Sequence, residues 1–143
     1  MMKLLKLIPY LLILAACATK AEVSISDAWV RANAPGQKIG AAYMTLTSSS
    51  KSTLVYVEAI DAAVSVEIHS MSMNNGVMKM RMLDELPLEP NKPASLKPGS
   101  FHLMLFDLKQ PLKEGAEIKF RLCFKDKNGK ISDQFISLPV KSQ

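Results

Sequence analysis

The chain has 143 residues, of which 48% are hydrophobic and 22% charged; this suits one domain with one packed core and excludes intrinsic disorder and collagen-like repetition. Two cysteines are too few for a disulfide-stapled miniprotein. The net charge of +5 is spread thinly, with no run of five Lys/Arg and no basic stripe interleaved with aromatics, so nucleic-acid binding has no footing.

Residues 1–6 carry Lys3 and Lys6, and residues 7–16 form a ten-residue apolar run. A bilayer span takes about 20 residues, so this run is too short; a basic start before it is the pattern of a secretory signal peptide. Removing the leader leaves sixteen basic against thirteen acidic side chains, a net +3, so part of the basic character belongs to targeting. Leu14-Ala15-Ala16-Cys17 resembles the bacterial lipobox. The resemblance implies a signal peptide over 1–16, cleavage before Cys17 and acylation of its thiol. Each buried CH₂ adds about 0.8 kcal/mol, so several acyl chains make a stable anchor. Ala18, rather than Asp, follows the cysteine and by the same resemblance points to the outer membrane. The alternative is ordinary cleavage near Ala18 or Ala21, releasing a soluble periplasmic protein.

The folded domain is expected over 22–143, where no repeat or linker divides the chain. It reads as short strands punctuated by turn residues, over 23–31, 40–47, 53–59, 64–71, 77–83, 101–108, 116–124 and 131–140. Asn74-Asn75-Gly76 signals a hairpin, because Asn and Gly tolerate the positive φ of a tight turn, and Asp126-Lys127-Asn128-Gly129 signals another. Pro87, Pro90, Pro93 and Pro98 exclude a central strand between them and predict a crossing loop, with at most a short edge strand at 94–97. Parallel sheets need long crossovers, usually helical, and none is visible. The predicted class is all-β: an antiparallel Greek-key β-sandwich or partly closed barrel of about eight strands. Cys123, in the strand over 116–124, is expected to be a half-buried structural thiol.

Both histidines precede a methionine by two residues, in His69-Ser70-Met71 and His102-Leu103-Met104. Residues i and i+2 of a strand share a face, so each pair presents an imidazole beside a thioether. Met78, Met80 and Met82 share one face by the same rule, with Lys79 and Arg81 on the other. A Met stripe alone is more often core packing than a metal site. Here, however, both histidines and six of the seven methionines after the leader fall between positions 69 and 104. Soft thioethers with borderline imidazole select Cu(I), whereas zinc takes thiolate, histidine and carboxylate. These neutral ligands suit a monovalent ion, and a thioether avoids the oxidation that threatens a thiolate in a secreted protein.

His69, ten residues, Met80, twenty-one residues, then His102-Leu103-Met104 match at every position and spacing the motif of the periplasmic copper chaperones called PCuAC. Gly40-Ala41-Ala42-Tyr43-Met44 after Pro35-Gly36 also resembles that family's first core strand, and the resemblance covers roughly residues 22–140. It implies a cupredoxin-like sandwich that binds Cu(I) through His69, Met80, His102 and Met104. It further implies delivery towards the dinuclear copper centre of cytochrome c oxidase, with its subunit II or a Sco-type protein as recipient. Met71, Met73 and Met78 are auxiliary candidates, as ligands or as a soft docking surface; Met82 does not carry over from the motif. No enzymatic activity is expected. The ligand segments, His102 with Met104 and His69 with Met80, are expected to meet at an exposed end of the sandwich.

Three rivals remain. A blue-copper electron-transfer protein needs a Cys ligand before its second His, and Cys123 follows both histidines. An enzyme would need a recognisable acid–base or nucleophilic set, and Glu67 and Asp107 near the histidines point to no reaction. A structural or interaction lipoprotein without metal is the plainest alternative.

Overall fold

A computed structural model describes residues 23–143, which form ten strands and no helix. They are β1 (Val23–Arg31), β2 (Ile39–Ser48), β3 (Ser52–Ala59), β4 (Ala63–Asn74), β5 (Val77–Leu83), β6 (Leu86–Leu88), β7 (Ala94–Leu96), β8 (His102–Leu108), β9 (Glu117–Asp126) and β10 (Ile131–Lys141). The hydrogen-bonded order is β5-β4-β8-β2-β1-β10-β9-β3-β6, with β7 paired to β2 beside β8. Two layers face each other across one core. Leu103, Leu105, Ala42, Met44 and Leu46 come from the β8–β2 side, and Leu54, Val57, Phe120, Leu122 and Phe124 from the β3–β9 side.

The all-β sandwich is as expected, with three differences in detail. The array is mixed rather than wholly antiparallel, because the ends of β1 and β10 run parallel through Val30↔Val140 and Arg31↔Lys141. It is an open path with β5 and β6 as its ends, not a closed barrel. There are ten strands rather than about eight. The additional two, β6 and β7, are three-residue pieces inside the proline-rich stretch, and both lie along free edges. Pro87 pairs with Thr53 on the last strand of the array, where its missing N–H leaves no ladder bond unmade.

Two local features aim the site. Asn75 and Gly76 both adopt positive φ, at 50° and 75°, which is the two-residue turn that matches strand twist. That turn lets β4 continue to Asn74, past the predicted limit at residue 71, so Met73 belongs to the strand. In β1 the register against β2 slips between Ser26 and Trp29, and Asp27 takes φ 51°. This extra residue is a bulge, and it reverses which residues face inward. Val23 and Ile25 face the core before it, Ala28 and Val30 after it. Trp29 and Arg31 are thereby turned to the outer face, beside Tyr43.

Candidate metal centre

Alternation builds the centre on the outer face of β5-β4-β8-β2. Ile68, Leu103, Leu105 and Ala42 point into the core, so their neighbours His69, His102, Met104 and Ala41 point away from it. The register sets them side by side: His69 opposes His102 on β8 and Met82 on β5, Met71 opposes Met80, and Met104 lies between Glu67 and Ala41. The candidate ligands thus sit on adjacent strands of one sheet, and the hollow lies where β1 ends, at Arg31, and β8 begins, at His102. Antiparallel pairing of β4 with both β5 and β8 brings them together.

A hollow of about 300 Å³ opens on this face. Met71, Met80, His102 and Met104 line it, together with Tyr43 and Arg31. Of the four motif residues, three line the hollow directly. The fourth, His69, lies against His102, with ring centroids 5.6 Å apart, and is not among the lining residues. Met71, an auxiliary candidate, lines the hollow. Met73 and Met78 lie further out along the hairpin, facing each other and exposed.

Both imidazoles are buried, His69 to 8% exposure and His102 to 4%, and each is oriented by one hydrogen bond. His69 Nε2 lies 2.8 Å from Glu67 Oε2; a carboxylate oxygen accepts, so Nε2–H donates. His69 Nδ1 is then left with its lone pair, buried and without a partner. His102 Nδ1 lies 3.2 Å from the Ser100 carbonyl oxygen and donates to it, which leaves Nε2 with the free lone pair. Orientation of a ligating imidazole through its other nitrogen is how proteins prepare it for a metal. An orphaned, buried nitrogen is otherwise a cost of about 1–3 kcal/mol, so the donor set fits an ion. Burial pushes the His102 pKa down from the usual 6.5, the Ser100 hydrogen bond opposes this, and His69 and Arg31 lower it further. The imidazole is therefore held in the neutral form that binds metal.

Among the described residues no three His, Cys, Asp or Glu side chains group as a metal cluster. Beside His102, the soft donors that line the hollow are the thioethers of Met71, Met80 and Met104. Cys123 is half-buried on β9, beside Arg121 and Asp133 on the other half of the array, and takes no part. Cys17 lies outside the described residues.

Five contributors are not legible as such in the sequence. Glu67 was visible beside His69 but without a role, although the two-residue spacing that links His69 to Met71 also links it to Glu67. Ser100 acts through its backbone and leaves no side-chain signal. Tyr43 and Arg31 stack, with the guanidinium 5.2 Å from the ring centroid, and Trp29 covers the same ring at 4.7 Å. Arg31 and Trp29 reach this face only through the bulge at Asp27.

The family model described as "Putative lipoprotein LpqE-like" matches residues 23–135. The chain belongs to this LpqE-like family, which is of the PCuAC type. "Putative lipoprotein Lxx21020" of Leifsonia xyli subsp. xyli is 32% identical over 121 residues, covering 83% of this chain and 69% of that protein. The copper-bound PCuAC domain from PmoF2 superposes with a TM-score of 0.69 at 23% identity, over 86% of this chain and 95% of that one, and shows the shared fold. The Cu(I) form of DR1885 from Deinococcus radiodurans superposes with a TM-score of 0.61 at 27% identity, over 90% of this chain and 84% of that one.

Proposed function

We propose that this LpqE-like protein is a Cu(I) carrier that holds the ion at the hollow and passes it to an acceptor protein. The observation that carries this reading is the donor set: Met71, Met80, Met104 and His102 around one hollow, with His69 adjoining. In each imidazole one nitrogen is tied by a hydrogen bond and the other left free. Soft thioether with imidazole selects Cu(I). Copper-bound relatives of the same fold support the choice of ion.

His69, Met80, His102 and Met104 are the ligands of this reading, and Met71 is an additional sulfur within the hollow. The thioethers and imidazoles are neutral, so they release the ion without taking up a proton. Met80 is 47% exposed, which lets an incoming ligand displace it first. The cargo leaves without chemistry on the carrier, as suits a non-enzymatic role.

The acceptor class is the dinuclear copper centre of cytochrome c oxidase, through its subunit II or a Sco-type protein. This part of the proposal rests on the motif's resemblance. The setting is the periplasm, with the domain held to a membrane through acylated Cys17, outer membrane favoured; lipoprotein relatives and the Leu14-Ala15-Ala16-Cys17 sequence support it.

Anaerobic competition against a colorimetric Cu(I) chelator, followed by X-ray absorption, tests the core of the reading. The expected result is tight Cu(I) binding with a first shell of both sulfur and nitrogen. Equal affinity for Zn²⁺, or an oxygen-dominated shell, would overturn it.

A further inference from the structure

We propose that the outer part of the β4–β5 hairpin is a second Cu(I) site, made of thioethers alone. Met73 and Met78 are its own ligands, and Met71 and Met80 are shared with the hollow. The proposal rests on the Cu(I) reading of the hollow and adds a station beside it.

Three successive rungs on one face of the hairpin carry soft ligands: His69 opposite Met82, Met71 opposite Met80, and Met73 opposite Met78. Side chains directly opposed in an antiparallel pair have Cβ atoms about 4.5–5.5 Å apart. A methionine has three further rotatable bonds, so two opposed sulfurs can close on one ion between them. The next rung is one strand repeat away, within reach of the same long side chains.

Packing does not explain these residues. Met73 is 66% exposed, Met78 57% and Met80 47%, and β5 is a terminal strand exposed from Val77 through Met82. A free edge of this kind ordinarily carries charge against unwanted pairing. The charges are present, but Lys79 and Arg81 oppose Ser72 and Ser70 on the other face. The Met71–Met80 and Met73–Met78 rungs thus present four thioethers and no charged side chain. That is a donor set for a soft monovalent cation.

This station differs from the hollow in having no oriented imidazole and four flexible ligands. Ordering such exposed side chains costs conformational entropy, so the station holds the ion less tightly than the hollow. Because Met71 and Met80 belong to both, an ion moves between them by exchanging one sulfur at a time. The hairpin end is therefore the port through which copper reaches or leaves the hollow.

Anaerobic Cu(I) titration of the full chain, followed through the methionine methyl signals in NMR, tests the proposal. Two equivalents are expected, the first moving Met80 and Met104 and the second, weaker one, held by three thioethers while Met80 serves the hollow, moving Met71, Met73 and Met78. The variant Met73→Leu/Met78→Leu is expected to keep the apo melting temperature and the first affinity and to lose the second equivalent. Uptake of only one equivalent by the native chain overturns this proposal alone, as does a second equivalent that survives in the variant. No uptake at all overturns the reading of the hollow and this proposal with it.

Discussion

Glu67 accepts the Nε2–H of His69 and so decides which nitrogen of that ring is free. Removing such a partner typically lowers metal affinity by about 10–100-fold. Glu67→Ala is expected to weaken Cu(I) binding in that range while leaving the apo protein stable, since a partly exposed pair of this kind contributes about 0–1 kcal/mol. Glu67→Gln keeps an acceptor oxygen and is expected to retain most of the affinity; chelator competition on both variants is the check. Met104 tests the sulfur instead. It is half-buried on the outer face, and Leu↔Met swaps usually cost less than about 1.5 kcal/mol. Met104→Leu should leave the apo melting temperature nearly unchanged and weaken the Cu(I) complex strongly. A lower melting temperature with unchanged affinity would make Met104 a packing residue. His102 also sets a pH dependence. Its folded pKa lies below the unfolded 6.5, so between those values the unfolded chain binds a proton that the folded chain refuses. Stability contributed by neutral His102 is present above pH 6.5 and is lost as pH falls through the folded value. Urea melts of the apo protein from pH 7.5 to 5 should show this loss, and His102→Gln should flatten it; parallel slopes for the two proteins would refute the assignment.

At the scale of elements, the β4–β5 hairpin holds Met71 opposite Met80, and its turn fixes that register. Gly76 has φ 75° and open space around it, so an added Cβ meets no neighbour and the cost of Gly76→Ala is purely conformational. That cost is about 1–2 kcal/mol for an L-residue in the left-handed region. The variant should be less stable by that amount and bind Cu(I) less tightly, because a loosened turn no longer holds the rung; native affinity would show that the register does not matter. Much of this hairpin is readable from sequence: β5 falls at the expected 77–83, because alternating Met and basic residues before a leucine mark its two faces. Turn chemistry likewise exposes Asn75-Gly76. The bulge at Asp27 is not readable, since an aspartate inside a strand pattern does not announce a change of facing. The outward turn of Trp29 and Arg31 is hidden with it. Strand β6 is equally hidden, because three residues around a proline become strand only when β3 offers them an edge, whereas β7 falls within the short edge strand expected at 94–97. The ligand motif is visible as spacing. That His69 lies beside the hollow while Met71 enters it depends on the β4–β8 register, between segments far apart in the chain.

For the whole molecule, β1 runs from Val23, the first described residue, to the hollow. Val23 pairs with Ser48 at one end of the β1–β2 ladder, while Arg31, just past Val30↔Ala42 at the other end, lines the hollow. Nine strand residues rising about 3.3 Å each put the hollow about 25 Å from Val23. Cys17 precedes Val23 by six positions, a tether of at most about 20 Å at full extension. Acylation at Cys17 would therefore tether the Val23 end of the domain close to the membrane, with the hollow at the far end of β1. An acceptor approaching from solution would then meet the hollow without competing with lipid. Native protein should accordingly sediment with membranes, and Cys17→Ser should not. The rate at which a soluble chelator strips Cu(I) should be the same for the anchored protein in vesicles and for the Cys17→Ser protein. A markedly slower rate for the anchored form would mean that the membrane covers the hollow, and a free thiol at Cys17 by mass spectrometry would remove the anchor altogether.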